Sequence, residues 1–274
     1  MNPAVLAVPN ARADKALRGR FVLIVGLMVG LALVVVRQPM LAGLPGYAWA
    51  ISVLLGAVTI AWRTGIFARA HALLRLGAIR RDGLLATQKL NAGDVAGARV
   101  LFEGLLVQAR PLGAFHAVHV LMYGVTRFFE GDTKEGLTLA ARAIDSGWFD
   151  VRQTREVRDA AETWRVLMLL AAGEVKEARR RVDAASKHSL LTAALAVSAH
   201  EKDWDAVIAE ATRILALPEA QFPKAGRPTV AALGRYAAKK KSATAEPFER
   251  VLGSEPLGEL ARKNPALKRF LGEA

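Results

Sequence analysis

His116 and His119 stand three residues apart in the stretch GAFHAVHVLMYG, a spacing that puts both imidazoles on one helix face, where paired metal ligands can sit. Two ligands do not complete a site, and the next carboxylate along the chain is Glu130. The other histidines, His71, His188 and His200, are isolated from one another. With no cysteine in the chain, thiolate nucleophiles, thiolate metal sites and disulfides are excluded. The sequence also lacks a phosphate-cradling glycine loop, a nucleophile elbow and a zinc-protease helix. Its many carboxylates read as solvated helix faces rather than an acid/base pair. The chemistry available therefore predicts no catalytic residue, no cofactor and no metal: a protein that is not an enzyme.

Any function must then come from surfaces, and the elements that could present them begin with two apolar runs. Phe21 to Val36 carries no polar residue and is closed by Arg20 and Arg37; from Gln38 to Trp62 there is no charge before Arg63. One helix over residues 21–62 would be roughly 63 Å long, about twice a bilayer's hydrocarbon thickness. Two crossings fit, because Pro39, Gly43, Pro45 and Gly46 break the helix between the runs. Arg37 then lies at a helix end and can snorkel to the headgroups, while Tyr47, Trp49 and Trp62 mark the ends of the second run. Gly26 and Gly30, and likewise Ser52 and Gly56, are spaced to let the two helices approach closely. A buried hairpin of a soluble protein has similar periodicity, and Ala48 and Ala50 mimic a signal-cleavage site, although cleavage there would leave a second apolar run exposed.

Charge is distributed accordingly. The net of +13 divides into +5 over residues 1–63, +4 over 64–81, −2 over 82–223 and +6 over 224–274. Basic residues beside apolar runs, with a nearly neutral middle, point to anionic lipid headgroups, and no nucleic acid is expected as a partner. Arginines and lysines flank the hairpin on its outer sides and only Arg37 lies between the runs, so both termini are expected in the cytoplasm of a bacterium, with the hairpin in the inner membrane.

Beyond residue 64 apolar residues recur at three- and four-residue spacing, and no strand alternation is seen. Four segments align: AGDVAGARVLFEGLL from Ala92, EGDTKEGLTLAARAI from Glu130, AGEVKEARRRVDAAS from Ala172 and EKDWDAVIAEATRIL from Glu201. Their acids, Asp94, Asp132, Glu174 and Asp203, lie 38, 42 and 29 residues apart, the spacing of stacked helix pairs. Gly93, Gly131 and Gly173 end a first helix in three of them, and the acid opens the second. Small residues follow four positions later, at Ala98, Gly136 and Ala178, with Val207 in the fourth.

These segments resemble tetratricopeptide repeats over roughly residues 79 to 217. Gly124 matches the small position of the family's first helix, Phe102 its aromatic position, and Pro111 and Pro218 fall within a residue of its closing proline. The order of parts is also similar to the HemY family of inner-membrane proteins, with a far shorter loop between the spans. The resemblance implies an all-α chain: an N-terminal transmembrane hairpin followed by a tetratricopeptide-like α-solenoid. The expected parts are a basic N-terminus (1–20), the hairpin (21–63), a basic juxtamembrane helix (64–81), repeats (82–217) and C-terminal capping helices with a basic tail (218–274).

In that family the first helices line a concave face that holds peptides or partner helices. Carried across, the lining positions are Val118, Leu121, Val125 and Phe128 in one unit and Ala160, Thr163, Leu167 and Leu170 in the next. The set is apolar, without the Lys and Asn pattern that clamps a C-terminal carboxylate, so an apolar protein segment is the expected guest. Packing of the same stripe against neighbouring helices is the alternative. Trp148 and Phe149 are expected to be buried, and Lys239 to Lys241 to end a helix that starts after Pro228. The function expected is a membrane-anchored scaffold for an unidentified protein partner. The alternative is a regulatory or assembly subunit that meets its partners through the hairpin.

Overall fold

The computed structural model describes residues 3–16, 65–151, 157–185 and 189–271, with isolated positions at 19, 26, 55, 56, 58, 59 and 62. The expected hairpin lies outside the described residues apart from those isolated positions; Gly30, Arg37 and Ser52 are all outside. Among the described residues no helix is long and apolar enough to cross a membrane.

Every regular element described is helical. The helices are α1 (Ile66–Leu74), α2 (Leu76–Asn91), α3 (Val95–Ala109), α4 (Gly113–Phe129), α5 (Thr133–Asp145), α6 (Arg158–Ala171), α7 (Val175–Ala184), α8 (Leu191–Glu201), α9 (Trp204–Leu215), α10 (Arg227–Lys241), α11 (Glu246–Ser254), α12 (Glu259–Lys263) and α13 (Lys268–Leu271). A 3-10 turn at Trp148–Asp150 follows α5. After the fifteen-residue α10, which the three lysines close, the C-terminal region consists of short helices.

The four aligned segments become four copies of one turn. Gly93, Gly131 and Gly173 take left-handed φ values of 81°, 97° and 83°, and Lys202 takes 63° in the fourth copy. In each, the amide of the following acid donates to a carbonyl five residues back: Asp94 to Lys89 (2.9 Å), Asp132 to Arg127 (3.0 Å), Glu174 to Leu169 (2.9 Å) and Asp203 to Ser198 (3.0 Å). This closes the first helix, because the left-handed residue turns orphan carbonyls toward those amides. The acid then caps the second helix. Asp94, Asp132 and Asp203 accept from the amides of Gly97, Glu135 and Ala206 at 2.9, 3.1 and 3.1 Å, whereas the longer Glu174 makes no such bond.

How closely each pair then packs follows from the residue seven positions before the turn. That residue is Ala86, Gly124, Val166 or Leu195, and each is buried. At Gly124 the helices come so near that a Cβ there would lie 3.1 Å from the Gly136 carbonyl, and one at Gly136 would lie 2.8 Å from the Gly124 carbonyl. The α4/α5 contact is the most extensive of the four; the pairs built on Val166 and Leu195 touch much less, being shorter as well as bulkier at the crossing. Arg127 pins this tight turn by bonding Glu135 (2.6 Å), Glu130 (2.7 Å) and Asp132 (3.0 Å).

A continuous apolar core runs through the array, with Phe102, Phe128 and Phe149 among its largest fully buried side chains. Each such side chain is worth roughly 1.5–3 kcal/mol of burial. Trp148 is buried too, over Gly113, where a Cβ would come within 2.2 Å of its ring.

The segment 3–16 returns to this core. Trp148 Nε1 donates to the Pro9 carbonyl at 2.7 Å, the Ala11 amide donates to Ser146 O at 2.9 Å, and Arg142 reaches Leu6 O at 3.3 Å. Asp14 pairs with Arg69 on α1 at 3.6 Å. Residues on both sides of the expected hairpin therefore sit on one body.

Candidate partner groove

A cavity of about 850 Å³ opens along one side of the array. It takes residues from α2 (Asn91), α4 (Phe129), α6 (Ala160, Thr163, Trp164, Leu167), α8 (Leu191, Thr192) and α10 (Thr229), and none from α3, α5, α7 or α9. The first helix of every pair thus contributes and the second does not.

The eight residues expected in the groove divide among three environments. Ala160, Thr163 and Leu167 line the cavity, one helical turn or less apart along α6. Leu170 is buried in the core. Leu121, Val125 and Phe128 are buried between helices, and Val118 borders a separate apolar hollow of about 310 Å³ between α2 and α4, beside Phe102, Phe115 and Met122. Helix α4 is enclosed because α5 is drawn against it at Gly124 and the segment 3–16 covers its first turns. Of the residues expected to pack the transmembrane helices, Gly26 has no described atom within 4 Å of a built Cβ, and Gly30 and Ser52 lie outside the described residues.

Residues that the repeat pattern does not nominate complete the wall. Phe129 and Trp164 meet edge to face with ring centroids 5.7 Å apart, each one position along its helix from an expected lining residue. Leu190 and Phe222 come from connections, and Leu260, Ala261 and Leu267 come from the C-terminal segment.

That C-terminal segment lies across the opening. At one end α12 reaches the first repeat turn, where a Cβ on Gly93 would stand 2.5 Å from Glu259 Cγ. At the other, the Phe270 ring is held at 5.2 Å from His200, 5.4 Å from Tyr236 and 6.4 Å from Trp204. His200 Nε2 donates to the Ala266 carbonyl at 2.8 Å. Burial pushes the His200 pKa down against the opposing effect of that bond. Ala266, Leu267, Phe270 and Leu271 are buried while α12 is only half-buried: the strap is anchored at its far end and lightly held over the cavity.

The histidine pair has structural surroundings. His116 is fully buried, and His119 Nδ1 lies 2.6 Å from the Phe115 carbonyl one turn back. Burial lowers both pKa values, that of His119 to about 4. Among the described residues no group of three or more metal-ligating side chains is placed to hold an ion.

No protein-family model matches the chain, and neither does any curated protein or solved structure.

Proposed function

We propose that this protein is a scaffold with a tetratricopeptide-like solenoid, anchored in a bacterial inner membrane by a two-span hairpin, that binds a protein partner on its cytoplasmic concave face and performs no catalysis. The observation that carries the reading is the cavity lined by every first helix and by no second helix up to α9, since that is the face such arrays use for peptides. Its guest is an amphipathic helical segment. The strap supports that choice, for α12 is itself a short helix that turns Leu260 and Ala261 to the cavity and keeps Arg262 and Lys263 exposed.

Anchoring by two spans is supported by topology. Residues 3–16 and residues from 65 onward pack on the same body, so a chain that enters the bilayer between them must cross it an even number of times. Two is the number that the apolar length from 21 to 62 accommodates.

A photo-crosslinking residue at Thr163 in growing cells tests the groove. Crosslinks to a separate protein, at a segment with one apolar helical face and abolished by Ala160→Trp, are expected; crosslinks confined to residues 258–267 of the same chain would contradict it. The strap also favours a second reading, in which the groove is filled from within and the protein serves as a regulatory or assembly subunit through its spans. Replacing the hairpin by an unrelated two-span anchor separates the two: a scaffold keeps its partner and a span-dependent subunit loses it.

A further inference from the structure

Helices α1 and α2, which follow the second apolar run, carry two stripes of different character. Ala72, Ile79 and Ala86 recur every seven residues along α1 and α2 and are buried, with 4%, 0% and 0% exposure. Phe67, Leu74 and Arg81 recur at the same interval on the opposite side, and Leu85 continues their line one turn on. Soluble helices put charged residues on such a face, yet Phe67 is 47%, Leu74 87% and Leu85 45% exposed. No acid occurs from 64 to 81; Arg75 stands beside the stripe, and Arg81, in line with it, also pairs with Asp82 at 3.5 Å.

We infer that this stripe is a second membrane contact, lying in the plane of an anionic bilayer surface. Phe67, Leu74 and Leu85 enter the boundary between headgroups and acyl chains, and Arg75 and Arg81 reach the lipid phosphates. Two observations select a lipid surface as the occupant. The charge is complementary to anionic headgroups, and the uncharged run ending at Trp62 leaves off only three residues before Gly65, so the stripe starts at the point where a second span would emerge. The inference rests on the anchored reading and adds to it: α1 fixes the solenoid's orientation to the membrane, where a bare hairpin would leave it swinging.

Because the chain has no cysteine, single cysteines report unambiguously. Full-length protein carrying Leu74→Cys, or Val107→Cys on α3 as a 61% exposed reference, is spin-labelled and reconstituted in vesicles containing phosphatidylglycerol. Accessibility to oxygen relative to a water-soluble nickel complex is expected to be several-fold higher at position 74 than at 107. The difference is expected to shrink when Arg75 and Arg81 are both changed to Glu. Equal, water-like values at the two positions in protein that still resists alkaline extraction overturn the α1 contact and leave the anchor standing. Loss of the protein on alkaline extraction overturns the anchor and this contact with it. Shielding at 74 from both reagents, with spin-spin broadening that vanishes on dilution with unlabelled chain, shows a second copy on the stripe and also overturns it.

Discussion

The α4/α5 pair and the α6–α9 region are built on the same turn, yet one makes the most extensive contact among the described helix pairs and the other borders an opening of about 850 Å³. In both, a left-handed residue closes the first helix and an acid opens the second. They differ at the crossing, where Gly124 meets Gly136 in the first and Val166 and Leu195 stand in the second. The tight pair has longer helices and glycines at its crossing; the pairs beside the opening are shorter and bulkier there. The turn sets the direction of each helix, and the residue at the crossing sets the room beside it.

The comparison breaks most visibly at Gly136. Gly136→Val drives side-chain carbon into the Gly124 carbonyl and is expected to cost about 3 kcal/mol in denaturant unfolding of the full chain. In the open region Ala160→Trp, at an exposed position, is expected to change stability by no more than about 0.5 kcal/mol while filling the groove. Equal losses for the two would mean that the α6 face is packed as tightly as α4.

Acid tests the closed region next. Burial holds the His119 pKa at about 4, against about 6.5 in an unfolded chain. Between those values the unfolded state takes up a proton that the folded state refuses, so stability falls as pH drops from about 6.5 to about 4 and this contribution levels off below. Denaturation midpoints across that window should therefore decline less steeply in His119→Gln; the slope that remains belongs in part to His116 and His200, whose pKa values shift the same way.

The turn itself supplies smaller effects. Lys202 occupies the left-handed position that glycine fills in the other three copies, so Lys202→Gly should raise stability by about 1 kcal/mol and Gly131→Ala should lower it by a similar amount. Removing a cap by Asp132→Ala or Asp203→Ala should cost about 1 kcal/mol, and Glu174→Ala, which breaks no capping bond, only a few tenths. Thermal midpoints of the variants, measured side by side, rank the four turns.

These turns were legible in the sequence because each is local: a glycine or its substitute, an acid, and a small residue four positions on. Burial of Trp148 was legible from the size of its ring, and the helix that ends at Lys241 from its closing lysines. The groove was legible only in part. Ala160, Thr163 and Leu167 came from the repeat resemblance, but Phe129 and Trp164 lie one step around their helices, a rotation that neighbouring packing decides. The strap was visible as short capping helices. Its course back to Gly93 was not, because it joins residues more than 160 positions apart with no periodic pattern to announce them. Nor did the sequence reveal that residues 3–16 return to the start of α4 through Trp148, or that Leu121 and Val125 are buried between helices.

Single-cysteine labelling of the full chain in sealed inner-membrane vesicles tests the central claim, that an anchored solenoid has both flanks on one side of the bilayer. With Lys15→Cys, Gly43→Cys and Val100→Cys, an impermeant maleimide should react at positions 15 and 100 from the same face and at 43 only from the other. Reaction at all three from one face, or recovery of the protein in the aqueous fraction without detergent, would contradict it.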